Sequence, residues 1–194
     1  MSVNLLVLGP QGSGKGTQAK RIAAEYDIPH VSTGEMFRTA IAAGSELGTL
    51  VEPILAAGDL VPDDLTVALI RERLSEDDAL AGFILDGFPR NLAQAHALDA
   101  TLAAIGRSLD AVLFFDLSDE LATERLLGRS QDEGRPDDAP EVIARRLALY
   151  HEHTEPVVEH YRATGKLVPL HAERTVGEVF AEIQQALEQV EARA

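Results

Sequence analysis

The chain has 194 residues, a formal net charge of −15, 45% apolar and 25% charged residues, and no cysteine. That is enough length for one well-buried domain of ordinary globular composition. It excludes a disulfide scaffold or cysteine-bound metal, and such acidity argues against nucleic acid or an anionic membrane as partner. No apolar run approaches the roughly 18 residues of a membrane span. Met1-Ser2-Val3-Asn4 lacks the basic flank and long apolar core of a secretion signal, so a cytoplasmic protein is expected.

In chain order, Val3 to Leu8 reads as a buried strand and Thr17 to Tyr26 as a helix. Between them stands Gly9-Pro10-Gln11-Gly12-Ser13-Gly14-Lys15-Gly16, the strand–glycine loop–helix arrangement of a P-loop. Its amides and the helix N-terminus favour a bound phosphate, and Lys15 reaches the terminal phosphates. Gly16 stands where the common pattern has Ser or Thr, and the hydroxyl comes one residue later at Thr17. His30 to Ser32 is a second strand, and Ser32 or Thr33 can cap a helix over Glu35–Ala43. Further helices are expected over Leu47–Ala57 and from about Leu65 to Ser75. Gly82 to Asp86 is a strand ending in a carboxylate, the shape of an element that helps hold Mg²⁺.

A helix then runs from Asn91 to Ile105, a fourth strand covers Ala111–Phe115, and another helix covers Asp119–Gly128. The polar stretch Arg129–Asp138, with Gly134 and Pro136, reads as a mobile surface loop. Pro140 opens a helix that continues to about Thr164 with a kink near Pro156. Leu167–Leu170 is the fifth strand, and a closing helix begins at Thr175. Alternating strands and helices predict an α/β fold: a five-stranded parallel sheet with helices on both faces, with ligands outside the strands' C-terminal ends. The single core, residues 1–194, carries two mobile excursions, at 32–61 and 129–138. His30, His96, His160 and His171 are isolated, and His151 and His153 diverge on a helix, so no histidine metal site is expected.

Of the 17 basic residues, 14 are arginine, whose planar fork clamps phosphate oxygens in bidentate fashion. Codon bias is the bland alternative, but Arg38, Arg90, Arg125, Arg129, Arg135 and Arg146 fall at or beside the excursions on the ligand side. Phosphoryl transfer needs this positioning and neutralisation and little covalent work from the protein.

These segments together resemble the adenylate kinases, one group of nucleoside monophosphate kinases. The resemblance rests on the loop Gly9–Thr17 with its displaced Thr, on Ser32-Thr-Gly-Glu-Met-Phe-Arg38, on Asp86-Gly-Phe-Pro-Arg90, on Arg125-Leu-Leu-Gly-Arg129, on Arg135-Pro-Asp-Asp138 and on Arg146. It extends over essentially the whole chain. It implies reversible transfer from Mg·ATP to AMP, giving two ADP. ATP would lie on Gly12, Ser13, Gly14, Lys15, Gly16 and Thr17, with Arg125 and the backbone of Arg174 at its base. AMP would be held by Thr33, Arg38, Leu60, Val61, Gly87, Arg90 and Gln94, where Gln94 reads adenine. Lys15, Arg90, Arg129, Arg135 and Arg146 would neutralise the transferring group, with Arg135 and Arg146 also reaching AMP. Asp86 would hold Mg²⁺ through water, and Asp137 or Asp138 would help close the lid. The acceptor phosphate is already ionised, so no general base is required.

The sequence departs from the family pattern in three places. Only five residues separate Arg129 from Arg135, so this is the short-lid type, without room for a structural zinc. Ala172 replaces a frequent glycine near the ATP base, and Pro136 would stiffen the lid edge. A monomer is expected. The alternatives are a kinase for another nucleoside monophosphate and a catalytically silent nucleotide-binding module.

Overall fold

The five apolar runs form one parallel sheet in the computed structural model, which describes residues 3–133 and 139–192. The strands are β1 (Asn4–Leu8), β2 (His30–Ser32), β3 (Phe83–Asp86), β4 (Ala111–Asp116) and β5 (Leu167–His171). Their order across the sheet is β2-β3-β1-β4-β5. From the central β1 the chain winds first to one side and later to the other. The point of reversal therefore lies at the C-terminal end of β1, flanked by β3 and β4, where open parallel sheets bind ligands. The register places Val7 beside Asp86 on one side and Leu113 on the other, and places Ser32 beside Asp86. Three functional segments thus emerge at one edge.

The sheet is covered on both faces, as continuous rather than alternating apolar runs require. Val3, Leu5, Val7, Ile84, Ala111, Leu113 and Phe115 point to one side. There they meet Ala19 and Ile22 of α1 (Lys15–Tyr26) and Val179, Phe180, Ile183 and Leu187 of α9 (Val176–Glu191). Leu6, Leu8, Val31, Phe83, Leu85 and Val112 point to the other side. Their partners are α4 (Asp63–Leu74), α5 (Leu92–Ala104) and α8 (Glu155–Ala163), through Ile70, Leu74, Leu98, Leu102, Val157 and Tyr161. A separate small cluster of Phe37, Val51 and Val61 joins α2 (Thr33–Ala42) to α3 (Glu46–Ala56). The excursion over 32–61 therefore has an apolar centre, onto which Leu65 and Leu69 of α4 also pack.

Several boundaries differ from the sequence expectation. Helix α1 starts at Lys15, two residues early, and α4 starts at Asp63, where Asp63 and Asp64 favour the positive end of the helix dipole. Ser32 is the cap of α2, its Oγ accepting from the Glu35 N–H at 3.4 Å. A short 3₁₀ turn, Asp77–Ala79, precedes β3.

Helix α6 (Asp119–Glu133) continues through Gly128 and into the stretch expected to be loop. The polarity of this stretch predicts a loop, but Arg, Gln and Glu are good helix formers, and the helix continues from a turn docked through Ala122 and Leu126. The expected long helix after Pro140 is instead α7 (Pro140–Leu149), a π turn over Tyr150–Thr154, and α8. Pro156 lacks an N–H and its ring collides with the carbonyl four residues back. The chain meets this by widening the preceding turn rather than by bending at the proline itself.

His151, in that turn, contacts Asp119 of α6 (Nε2···Oδ2 2.9 Å) and Glu155 of α8 (Nδ1···Oε2 3.0 Å). The Glu155 hydrogen bond, followed by that of Asp119, raises its pKa above 6.5. A raised folded-state pKa gives stability that is complete below the unfolded pKa and is lost as pH rises through the folded one. The side chain is 45% exposed, so solvent screening keeps the effect small. His151→Ala should therefore lower Tm by about a degree or two near pH 5.5 and leave it unchanged near pH 9, as read by thermal melts.

Candidate active site

The loop between β1 and α1 wraps a cavity of about 400 Å³ at the C-terminal end of the sheet. Gly12 has φ +82°, and a Cβ there would stand 2.7 Å from the carbonyl oxygen of Ala122, so loop and α6 approach too closely for any side chain. Gly16 faces the carboxylate at the end of β3: a Cβ there would stand 3.3 Å from Asp86 Oδ2, a tight contact. Thr17, one residue on, is exposed in the same cavity. Ser13 is buried, and its Oγ has no hydrogen-bond partner among the described residues. Ser13 is not among the residues that line the cavity.

The cavity's charge is opposite to that of the molecule. Lys15, Arg38, Arg90, Arg125, Arg129 and Arg146 all line it. Its acids are Asp86 and Glu35, and Glu35 pairs with Lys20 at 2.6 Å. Burial drives the Lys15 pKa down to about 8; Asp86 opposes this, while Arg90, Arg146 and Arg129 add to it. In this structure the ammonium donates to the Pro10 carbonyl at 2.9 Å. Burial works to raise the Asp86 carboxyl, but the hydrogen bond from His30 and the charges of Lys15 and Arg90 outweigh it, and the net shift is downward. Asp86 thus stays ionised beside the phosphate loop.

Arg90 is anchored at three points. Its Nε donates to the Gly87 carbonyl at 2.8 Å, its N–H donates to Gln94 Oε1 at 2.8 Å, and its carbonyl accepts from Thr154 Oγ1 at 2.7 Å. Thr33 donates to the same Gly87 carbonyl at 2.9 Å, tying the start of α2 to the end of β3. On the opposite wall, Arg125 Nη1 donates to the Ala172 carbonyl at 2.9 Å, which brings α6 to the loop after β5.

Lys15, Arg38, Arg90, Arg125, Arg129 and Arg146 therefore converge with Gly12, Gly14, Gly16, Thr17, Asp86 and Gly87 on one cavity. Other expected site residues, Ser13 and Thr33 among them, stand outside its lining. Val61 is buried in the excursion's apolar cluster, and Leu60 is half-buried next to it. Gln94 is 2% exposed, with both ends of its amide bonded to protein. Arg174 is exposed on the loop after β5, with Nη1 3.7 Å from Glu182. Arg135, Pro136, Asp137 and Asp138 lie outside the described residues.

Sequence reasoning missed His30, Thr154 and Tyr150. His30 Nε2 stands 3.4 Å from Asp86 Oδ2, and Tyr150 and Thr154 line the cavity from the π turn. No local motif marks them. The only signal was the position of His30 at the head of a strand that pairs with β3.

A family model described as Adenylate kinase matches residues 7–166. The chain is 48% identical over 185 residues to an adenylate kinase of Xanthomonas euvesicatoria pv. vesicatoria, covering 95% of this chain and 99% of the relative. It is 46% identical, over the same shares, to an adenylate kinase of Stenotrophomonas maltophilia.

A depressed lysine pKa means that the charged form is disfavoured in the folded, ligand-free protein. Lys15→Met removes that penalty but takes from Asp86 one of the charges that hold its pKa down. The expected outcome is an Asp86 carboxyl that titrates higher in the ligand-free variant than in the parent, read by carboxyl NMR through the acid range. An unchanged Asp86 titration would show that the two charges are not coupled.

Proposed function

This chain belongs to the adenylate kinase family, and we propose that its cavity performs the family reaction with the following division of labour. The reaction is the reversible transfer of a phosphoryl group from ATP to AMP, giving two ADP. The observation that carries the assignment is the convergence of Lys15 and the arginines of four separate elements on one cavity at the mouth of the glycine loop.

ATP lies with its phosphates on Gly12–Thr17, where backbone N–H groups and the start of α1 favour anions. Its base lies towards Arg125 and the loop of Ala172 and Arg174, which that arginine holds in place. AMP enters from the excursion over 32–61, with its phosphate on Arg38 and Arg90 and its base against Leu60, Val61 and Gln94. Thr33 and Gly87 form the floor between the two substrates, already joined by a hydrogen bond. Mg²⁺ arrives with ATP as part of the substrate. The ionised Asp86 carboxylate suits a hydrated Mg²⁺, which favours one or two carboxylates together with phosphate oxygens and water. The ion's charge draws electron density from the transferring group.

Lys15, Arg90, Arg129 and Arg146 then neutralise the charge that spreads over the phosphoryl oxygens, with Arg135 completing the set by its motif. Because the acceptor oxygen belongs to an ionised phosphate, no side chain has to remove a proton. We propose that the excursion over 32–61 and a short lid over 129–138 close over bound substrates and exclude water, which would otherwise compete as acceptor. The apolar cluster shared by α2 and α3, with Leu65 and Leu69 of α4 at its edge, supports those two helices moving together. We further propose that the protein works as a cytoplasmic monomer. The described large apolar side chains that are exposed, such as Leu50, Leu80 and Ile105, come from separate elements, as on ordinary monomer surfaces. No described helix is long and apolar enough to cross a membrane.

Arg90→Ala should lower kcat/KM by about 10²-fold or more, the scale of losing a preorganised charge contact to the reacting group. A loss below about threefold would contradict its role. A coupled assay across AMP, CMP, UMP and GMP should show strong preference for AMP, and comparable turnover of UMP would overturn the adenine assignment.

A further inference from the structure

Gln94 does not stand alone. Its Nε2 donates to Asp63 Oδ1 at 2.7 Å, across 31 residues of chain. The same carboxylate oxygen accepts from Asn91 Nδ2 at 2.8 Å, and Asn91 Oδ1 accepts from the Gln94 backbone N–H at 2.9 Å. Gln94 Oε1 accepts from the Arg90 N–H. Each bond in this ring has a fixed direction. A backbone N–H only donates, so Asn91 must turn its oxygen to residue 94, and its NH₂ must face Asp63. A carboxylate only accepts, so Gln94 must turn its NH₂ to Asp63 and its oxygen to Arg90. Turning the Gln94 amide over would set oxygen against carboxylate and NH₂ against N–H, leaving two buried mismatches.

We propose that Asp63 is a positioning residue that, together with the Arg90 N–H, fixes which way the Gln94 amide faces the base of the monophosphate and so sets the preference for a 6-amino purine. The inference rests on Gln94 reading the base, as proposed above. After its bonds to Asp63 and Arg90, the amide keeps one hydrogen on Nε2 and one lone pair on Oε1. An amide held in this sense offers an acceptor and a donor in fixed order. Adenine answers with its 6-amino donor and N1 acceptor. A 6-oxo purine, with an acceptor at C6 and a hydrogen on N1, presents the reverse order. Gln94 is 2% exposed as the excursion stands, so the orientation is set before a base reaches it. Asp63 begins α4, immediately after the excursion that carries Leu60 and Val61, whereas Gln94 lies on α5 of the core. The bond thus also sets the reading group relative to the end of the excursion.

The test compares Asp63→Leu, Asp63→Asn and Gln94→Leu, with AMP and inosine monophosphate as acceptors and ATP as donor. In Asp63→Leu, KM for AMP should rise about tenfold with kcat within about threefold, and the AMP-to-inosine-monophosphate ratio of kcat/KM should fall about tenfold. KM for ATP should stay within about twofold, which a general loss of structure would not respect. Asp63→Asn should retain AMP KM within about threefold, because its Oδ1 can accept the same two hydrogens. Should Asp63→Leu not fold, Asp63→Ser, too short to reach the amide, is read in the same way. An unchanged base ratio in Asp63→Leu, with Gln94→Leu impaired on AMP, overturns the role of Asp63 alone. An Asp63→Asn variant as impaired as Asp63→Leu overturns the directed hydrogen-bond account. A Gln94→Leu variant with unaltered AMP kinetics overturns the base-reading itself, and this inference with it.

Discussion

The structure depends on keeping an ammonium and a carboxylate on one cavity at the end of a parallel sheet. Lys15 opens α1 and Asp86 closes β3, and both line the cavity, where each charge acts on the other's pKa. Burial lowers the Lys15 pKa and acts to raise that of Asp86, while their mutual attraction opposes both effects. Much else follows from this pair. Gly16 faces the carboxylate closely, and His30 from β2 stands within hydrogen-bonding reach of Asp86. The arginines then bias the balance towards positive charge, which costs the empty protein stability and favours a polyanion when one arrives.

Such a site is useful only if its arginines are positioned before substrate binds. Arg90 shows how the fold does this without regular secondary structure at the residue itself. Its main chain is held by Gln94 and Thr154 and its side chain by Gly87, so two near neighbours in the chain and one residue 64 positions away agree on one guanidinium. Arg125 is held in the same manner by the loop after β5. The π turn over Tyr150–Thr154 gains a purpose in this light. By absorbing the conflict at Pro156, it presents Tyr150 and Thr154 to the cavity from the end of α7.

The segments misread from sequence were those whose form is set by neighbours. Arg129–Glu133 is polar and looked like loop, yet α6 runs on through it from a turn already docked by Ala122 and Leu126. The chain around Pro156 looked like one kinked helix, whereas the kink is spread over the turn before it. Gln94 was legible as a base-reading residue only through family resemblance. The Asp63 and Asn91 bonds that orient it were not legible at all, because neither has a distinctive local pattern.

The sequence by itself determined the alternation of strands and helices, the phosphate loop, the carboxylate at the end of β3 and the excess of arginine near the excursions. These are local signals: periodicity, glycine spacing and charge at fixed offsets from an element's end. Tertiary structure alone decided which of those charges share a cavity and how far burial shifts them. It also decided which uncharged or commonplace residues hold them, His30, Asp63, Asn91 and Thr154 among them. The physical reason is that desolvation and hydrogen-bond direction depend on atoms separated by tens of residues in sequence but by about 3 Å in space.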